Sequence, residues 1–128
     1  MTNISSSDAQ VDLLVRKYKD KIEMLYRPKV VWLFGSRASG AATKHSDIDL
    51  IVVSSRFSSV RHLKRRSTFL RETGLANEYD LPVVDPLCYT PEEYSAGLQQ
   101  PTIVAEAIAS GVRLFGQEFV AQTGRIEP

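Results

Sequence analysis

Two aspartates, placed one residue apart at the start of an apolar segment, constrain this chain more than any other feature of its sequence. The stretch "WLFGSRASGAATKHSDIDLIVV" reads as an apolar strand, a Gly-Ser turn, a polar loop and a second apolar strand. Side chains alternate along a strand, so Asp47 and Asp49 send both carboxylates from the same face, about 6–7 Å apart. The chain must therefore accommodate two negative charges at the start of a buried strand.

The order of the predicted elements favours a small α+β domain. Apolar residues spaced three and four apart predict a first helix, and near-continuous apolar runs predict strands covered on both faces. The predicted elements are a helix over 8–27, a strand over 29–34, a short helical turn over 36–42, a strand over 48–53, a helix over 58–74, a strand over 82–89, helices opening at Thr90 and Pro101, and a short strand over 112–115. This order predicts one domain over 1–128, with helices packed on a mixed sheet of three to five strands, a core over about 8–116 and a loose tail over 117–128.

The composition describes a folded protein without a general attraction to polyanions. Of 128 residues 43% are hydrophobic, and the formal net charge is +1. A chain of this kind can bury a core and has no whole-protein pull toward nucleic acid or acidic membranes. The N-terminus lacks the pattern of a signal peptide, no apolar run approaches the ~18 residues of a membrane span, and the single cysteine, Cys88, lies in an apolar run typical of packing. We therefore expect a cytoplasmic protein that does not enter a membrane.

The loop between the first two strands approaches a known phosphate-binding pattern and then departs from it. "GSRASG" has the Gly-x4-Gly spacing of a P-loop, but Ala41 and Ala42 follow where that motif requires Lys and then Ser or Thr. Gly35 still permits close approach of the backbone, and Ser36 and Arg37 can donate hydrogen bonds to a phosphate. The turn is thus predicted to contact a phosphate group, with a solvated Arg37 as the alternative.

A third carboxylate, Asp85, lies in the strand predicted over 82–89. If that strand pairs beside 48–53, three carboxylates converge, because neighbouring strands are only ~4.8 Å apart. Two unit charges ~5 Å apart repel by about 3 kcal/mol at an effective dielectric constant near 20. A divalent cation removes this repulsion, and oxygen-only ligands favour Mg²⁺ or Mn²⁺. Pro86 predicts that the third strand lies at a sheet edge or carries a bulge.

Each aspartate also has a plainer interpretation. Asp47 can cap a turn and Asp49 can lie on a solvated edge, since Asp is common at such positions. The Gly-Ser turn before the pair and the apolar strand after it favour the metal site over this alternative. Asp80 comes before the third strand and is interpreted as a loop residue.

The pattern Gly35-Ser36, ten residues, Asp47-Ile48-Asp49 resembles the signature of the DNA polymerase β-type nucleotidyltransferase superfamily. The segment "VDPLCYTPEEY" is similar to one in the minimal members of that superfamily, and the resemblance covers roughly residues 28–115. It implies the polymerase β-type fold. It also implies Mg²⁺-dependent transfer of a nucleoside monophosphate, interpreted as AMP from ATP, to a hydroxyl acceptor with release of pyrophosphate.

The same resemblance assigns roles to individual residues. Asp47 and Asp49 would bind the catalytic and the nucleotide-bound metal ions. Asp85 would bind the catalytic metal and help to activate the acceptor hydroxyl. Gly35 and Ser36 would hold the triphosphate. The acceptor and the preferred base are left open by the sequence.

Two other functions compete with nucleotide transfer: a phosphatase, which the order of the motif disfavours, and a binding module. Phosphatases with an aspartyl nucleophile also carry a D-x-D pair, but there the pair is expected after an apolar strand, whereas "DIDLIVV" has the apolar residues after it. A binding module is the second alternative, because minimal nucleotidyltransferases are often paired with small helical HEPN-type proteins in toxin–antitoxin systems. In that case the chain would act mainly as an antitoxin.

The expected working form is a homo-oligomer or a complex with a HEPN-type partner, because a domain of this size is predicted to offer only half of a substrate cleft. The basic segment over 56–71, most of which lies in the predicted helix 58–74, is a candidate contact. It contains Arg56, Arg61, His62, Lys64, Arg65, Arg66 and Arg71 without an acidic residue. A solvated basic face is the alternative. RNA binding is left open, although no aromatic-rich platform accompanies these charges.

Overall fold

Four strands form one mixed sheet in this computed structural model, which describes residues 8–100 and 102–117. The strands are β1 (Val30–Phe34), β2 (Ile48–Val53), β3 (Val84–Tyr89) and β4 (Val112–Phe115), in the spatial order β3-β2-β1-β4. Strand β1 pairs antiparallel with β2 and with β4, whereas β2 and β3 run parallel. The predicted α+β class with a small mixed sheet is confirmed.

Five α-helices accompany the sheet in the part of the chain that is described. They are α1 (Ala9–Tyr26), α2 (Ser36–Ser39), α3 (Arg65–Thr73), α4 (Pro91–Leu98) and α5 (Ile103–Ala109). Local sequence sets several of their ends. Asp8 accepts hydrogen bonds from two amides at the start of α1, and Thr90 and Glu93 form a reciprocal capping box on α4. Pro101, where a helix was predicted to open, lies outside the described residues, and α5 begins at Ile103.

The predicted continuous helix over 58–74 is wrong in its first half. Two 3₁₀ turns, Ser55–Ser59 and His62–Lys64, precede α3. Val60 between them is extended, with φ −120° and ψ 128°, and Leu63 is 91% exposed instead of contributing to an apolar stripe. The reason is tertiary packing, because the first turn buries Phe57 completely in the core. The end of the helix was predicted correctly, since Gly74 stops α3 with φ 91°.

The two faces of the sheet are covered by different helices. Helices α1 and α3 cover one face, where Tyr26, Phe57 and Phe69 form an aromatic cluster with ring centroids 5.1 to 6.3 Å apart. Helices α4 and α5 cover the other face through Tyr94, Val104 and Ala107. Strand β2 is therefore buried on both faces, as its near-continuous apolar sequence predicts.

Strand β3 is an edge strand, and its register with β2 is unbroken. This placement explains how Pro86 is tolerated inside it, because a proline lacks the N–H that an inner strand would need. Cys88 of the same strand is buried, as predicted, and burial raises the pKa of its thiol to about 12. Among residues 8–100 and 102–117, no helix combines the length and hydrophobicity needed to cross a bilayer.

Candidate active site

The parallel pairing of β2 and β3 places Asp49 directly opposite Asp85. The amide of Ile48 anchors the start of β2 by donating to the carbonyl of Val83 at 2.8 Å. Alternation along the strands puts both carboxylates on the face that α4 and α5 cover further along. Asp47 stands just before β2 and is exposed. The strand pairing on which the predicted carboxylate site depends is therefore present.

Gly35 makes room for the carboxylate of Asp49. This glycine follows β1 and has φ 75° and ψ −153°, a conformation that residues with a β-carbon rarely adopt. A β-carbon built at this position would lie 2.5 Å from Asp49 Oδ2. A side chain at this position would therefore collide with the carboxylate. The Gly-Ser turn and the D-x-D pair, which are distant in sequence, form a single site.

The site concentrates negative charge. Burial raises the pKa of Asp49 above its ordinary value, and the carboxylates of Asp85 and Asp47 raise it further. The charged form of Asp49 is thus disfavoured by lost hydration and by like charges together. Such an arrangement favours either a proton or a metal cation at this position.

One cation of the chain itself already contacts the site. Arg66 Nε donates to Asp85 Oδ1 at 2.8 Å, and both side chains are partly exposed. Asp85 is therefore paired with a guanidinium. Within the described ranges, no three His, Cys, Asp or Glu side chains are gathered closely enough to form a ready metal site. The sequence did not indicate this pairing, because Arg66 lies far from Asp85 along the chain and was grouped with other basic residues.

The donor chemistry nevertheless suits a hard divalent cation. Asp47, Asp49 and Asp85 offer only carboxylate oxygens, which Mg²⁺ and Mn²⁺ prefer. The absent side chain at Gly35 leaves the space that the carboxylate of Asp49 occupies. These residues fit a metal ion, and their role as its ligands is a prediction.

Arg37 is used by the protein itself. Its guanidinium donates to both carboxylate oxygens of Asp8 at 3.1 Å and to the backbone oxygens of Ser46, Thr43 and Lys44. The side chain is only 3% exposed. These bonds close the loop that leads to Asp47 and tie it to the start of α1. They favour a positioning role for Arg37, and its direct contact with nucleotide stays a prediction.

Other candidate residues are placed away from the carboxylates. Asp80 lies in the loop before β3, where its amide donates to Glu78 Oε2 at 2.9 Å. Arg65 is buried and donates to Glu93 Oε1 at 2.7 Å, so it is a structural ion pair and not a free docking charge. His62 lies beside Arg65, and His45 lies in the exposed loop before β2.

The fold and the carboxylate arrangement together define a class: a small α+β domain that joins a Gly-Ser turn to aspartates on neighbouring parallel strands. The sequence profile of the family described as "Nucleotidyltransferase domain" matches residues 15–107, well over half of the chain. The chain belongs to this nucleotidyltransferase family and is an enzyme of that class.

A solved structure agrees with the fold. A protein from Sulfolobus solfataricus, described as a candidate nucleotidyltransferase, is 16% identical and superposes with a TM-score of 0.56 over 92% of each chain. The toxin–antitoxin pair MntA–HpeT is 23% identical over 83% of this chain and 72% of that one, with a TM-score of 0.48. A toxin–antitoxin structure with AMP-PNP is 20% identical, covers 84% and 72%, and has a TM-score of 0.48. No functionally curated protein sequence matches the chain at a significant level.

Proposed function

We propose that this chain transfers a nucleoside monophosphate, AMP from ATP, to a hydroxyl acceptor, and that Asp47, Asp49 and Asp85 hold the Mg²⁺ or Mn²⁺ that the reaction uses. The observation that carries the proposal is the register that sets Asp49 opposite Asp85 while Gly35 lies against Asp49. Asp85 is paired with Arg66, but neither Asp47 nor Asp49 takes part in an ion pair among the described residues, and their repulsion has no evident structural use. Both features are explained by a cation bound next to a phosphate chain.

The chain's own residues can be given roles in this reaction. Gly35 and Ser36 would hold the triphosphate, because the backbone at Gly35 can approach a ligand without a side chain in between. Arg37 would act on the nucleotide indirectly, by fixing the loop before Asp47. A bound divalent cation would neutralise phosphate charge and polarise the reacting oxygens.

The chemical step balances without a further reactant. The acceptor oxygen forms a bond to the α-phosphorus as the bond between that phosphorus and the α–β bridging oxygen breaks. Pyrophosphate leaves with the electron pair of the broken bond. The hydroxyl proton passes to the carboxylate of Asp85, which the strand pairing holds beside Asp49.

A protein partner belongs to the same proposal. Next to the carboxylate end of the sheet, Tyr79 is 87% exposed and Val83 is 60% exposed, and both residues line one surface depression. We propose that a second copy of the chain or a helical HEPN-type protein covers this surface and completes the cleft. Tyr79 and Val83 join the basic segment as candidate contacts; within that segment Arg65 and Arg66 are already paired with residues of the same chain.

The decisive experiment is a transfer assay with α-labelled nucleotides. The purified chain is incubated with each NTP, Mg²⁺ and one of three acceptors: a small polyol, an RNA end or the product of a neighbouring gene. We expect label to enter an acceptor with ATP and to be lost in Asp49→Asn. Label transfer that survives in Asp49→Asn would contradict the site. A chain that binds and neutralises its partner equally well with and without Asp49 would favour the antitoxin role.

A further inference from the structure

The ion pair between Arg66 and Asp85 is placed where the proposed metal would bind. Arg66 Nε donates to Asp85 Oδ1 at 2.8 Å. The two side chains are 53% and 40% exposed, so the contact is open to solvent and can be exchanged. A guanidinium and a metal ion cannot share one carboxylate oxygen at full strength, because each draws on the same lone pairs and charge.

Arg65, the residue before Arg66, explains why Arg66 stays within hydrogen-bonding distance of Asp85. Arg65 is buried, donates to Glu93 on α4 at 2.7 Å and to the carbonyl of Val60 at 3.1 Å. These bonds fix the start of α3 against the rest of the fold. Arg66, one residue later, is held beside the edge strand while its own side chain remains free to turn.

The carboxylates around Asp85 indicate a function for its ion pair with Arg66 beyond structural stability. Asp49 faces Asp85 across the two strands, and Asp47 is close enough to act on Asp49 electrostatically. Without a cation these carboxylates repel one another. We propose that Arg66 is an internal counter-ion for Asp85, which competes with the divalent cation for this carboxylate and is displaced when the cation binds. This inference rests on the proposed metal site.

The expected effect is modest and measurable. An exposed ion pair contributes little, about 0.2–1 kcal/mol, so removing it should tighten cation binding by roughly 1.5- to fivefold. Removing any nearby positive charge also favours cation binding, because it lowers electrostatic repulsion. Arg71 provides the matched control, because it is exposed on the same helix and takes part in none of the ion pairs found in residues 8–100 and 102–117.

Direct Mn²⁺ binding tests the proposal without relying on activity. Free Mn²⁺ is measured by electron paramagnetic resonance during titration into the whole chain, with Arg66→Ala, Arg71→Ala and Asp49→Asn as variants. We expect Arg66→Ala to bind Mn²⁺ more tightly than Arg71→Ala. If the two variants have equal affinity, Arg66 contributes only general charge and the inference is overturned. If Mn²⁺ binding is unchanged in Asp49→Asn, the proposed metal site itself fails.

Two further variants separate competition from a change in structure. In an Asp85→Asn background, Arg66→Ala should alter Mn²⁺ affinity no more than Arg71→Ala does, because the carboxylate under competition is gone. Arg66→Gln keeps much of the side-chain length and should reproduce Arg66→Ala, which covers the case that the alanine variant folds poorly. An effect of Arg66→Ala that persists in full without Asp85 would contradict displacement at this carboxylate.

Discussion

The carboxylate of Asp49 lies so close to Gly35 that a β-carbon at Gly35 would be 2.5 Å from Asp49 Oδ2. No pair of non-bonded atoms of this kind tolerates such a distance, so either the glycine backbone or the carboxylate would have to move. The turn after β1 and the start of β2 are therefore packed against each other. A substitution at Gly35 should displace the carboxylate of Asp49.

Gly35→Ala should destabilise the protein and abolish nucleotide transfer. Its positive φ alone should cost about 1–3 kcal/mol, and the contact with Asp49 adds to this. Gly40→Ala is the matched control, because Gly40 also has a positive φ, 85°, but an added β-carbon would meet nothing within 4 Å. Thermal unfolding and the transfer assay should show the larger loss for Gly35→Ala. Equal losses would mean that the close contact has no importance.

Asp49→Asn should reduce transfer by orders of magnitude, since each 1.36 kcal/mol of barrier is tenfold in rate. In metal-free buffer at neutral pH the same variant should melt at a higher temperature than the wild type. Burial, Asp85 and Asp47 raise the pKa of Asp49 in the folded state, so its ionised form opposes folding. As pH falls through that raised pKa, Asp49 becomes protonated and the advantage of the variant should shrink, to disappear below the ordinary pKa of 3.8. A marked loss of melting temperature in Asp49→Asn would instead indicate a structural role.

Asp85→Asn and Asp80→Asn should differ sharply in activity. Asp85 is paired in register with Asp49, whereas Asp80 lies in the preceding loop. Asp85→Asn should remove nearly all transfer, and Asp80→Asn should leave most of it. Steady-state rates at saturating ATP provide the comparison. The opposite result would assign the third ligand to the loop.

Arg37→Lys distinguishes loop positioning from direct nucleotide binding. Lysine keeps the charge but cannot reproduce the bonds from one guanidinium to Asp8 and Ser46. Loss of the buried hydrogen bonds from the guanidinium to the backbone should lower stability by about 1–3 kcal/mol. We therefore expect a lower melting temperature without nucleotide. An unchanged melting temperature together with a raised KM for ATP would favour direct contact.

Glu78→Gln should lower stability at neutral pH but not in strong acid. Glu78 accepts hydrogen bonds from Lys17 and Tyr18 of α1, and these contacts lower the pKa of its carboxyl to about 2. A carboxyl with a lowered pKa stabilises the fold above its ordinary value of 4.5, and this contribution is lost as pH falls toward 2. The difference in melting temperature between wild type and variant should persist down to about pH 4.5 and then shrink. A difference independent of pH would contradict this origin.

Most of the fold was predictable from the sequence, because helix caps, helix stops and edge prolines depend on only a few neighbouring residues. The capping box of Thr90 and Glu93, the stop at Gly74 and the edge position implied by Pro86 were all predictable from side-chain chemistry. The helix predicted over 58–74 was wrong in its first half, because the spacing of apolar residues does not reveal which of them packs in the core. Phe57 enters the core from a 3₁₀ turn, while Leu63 is exposed.

The carboxylates of the candidate site were predicted from the sequence, but the ion pairs of Arg37 and Arg66 were not. The D-x-D pair and the Gly-Ser turn are contiguous motifs, and Asp85 was added on the condition that its strand pairs beside 48–53. The partners of Arg37 and Arg66 are long-range contacts, which one sequence does not reveal. Arg37 was interpreted as a donor to phosphate and Arg66 as part of a docking surface, and both proved to be bound to aspartates of the same chain.

The parallel pairing of β2 and β3 also has a consequence for folding kinetics. The two strands are joined by the whole segment from Ser54 to Val83, so their pairing requires closure of a long loop and should form late. Asp49 and Asp85 would then meet only near the end of folding. A cation that needs both carboxylates stabilises a contact that the transition state lacks, so we expect Mg²⁺ to slow unfolding and to leave the folding rate nearly unchanged.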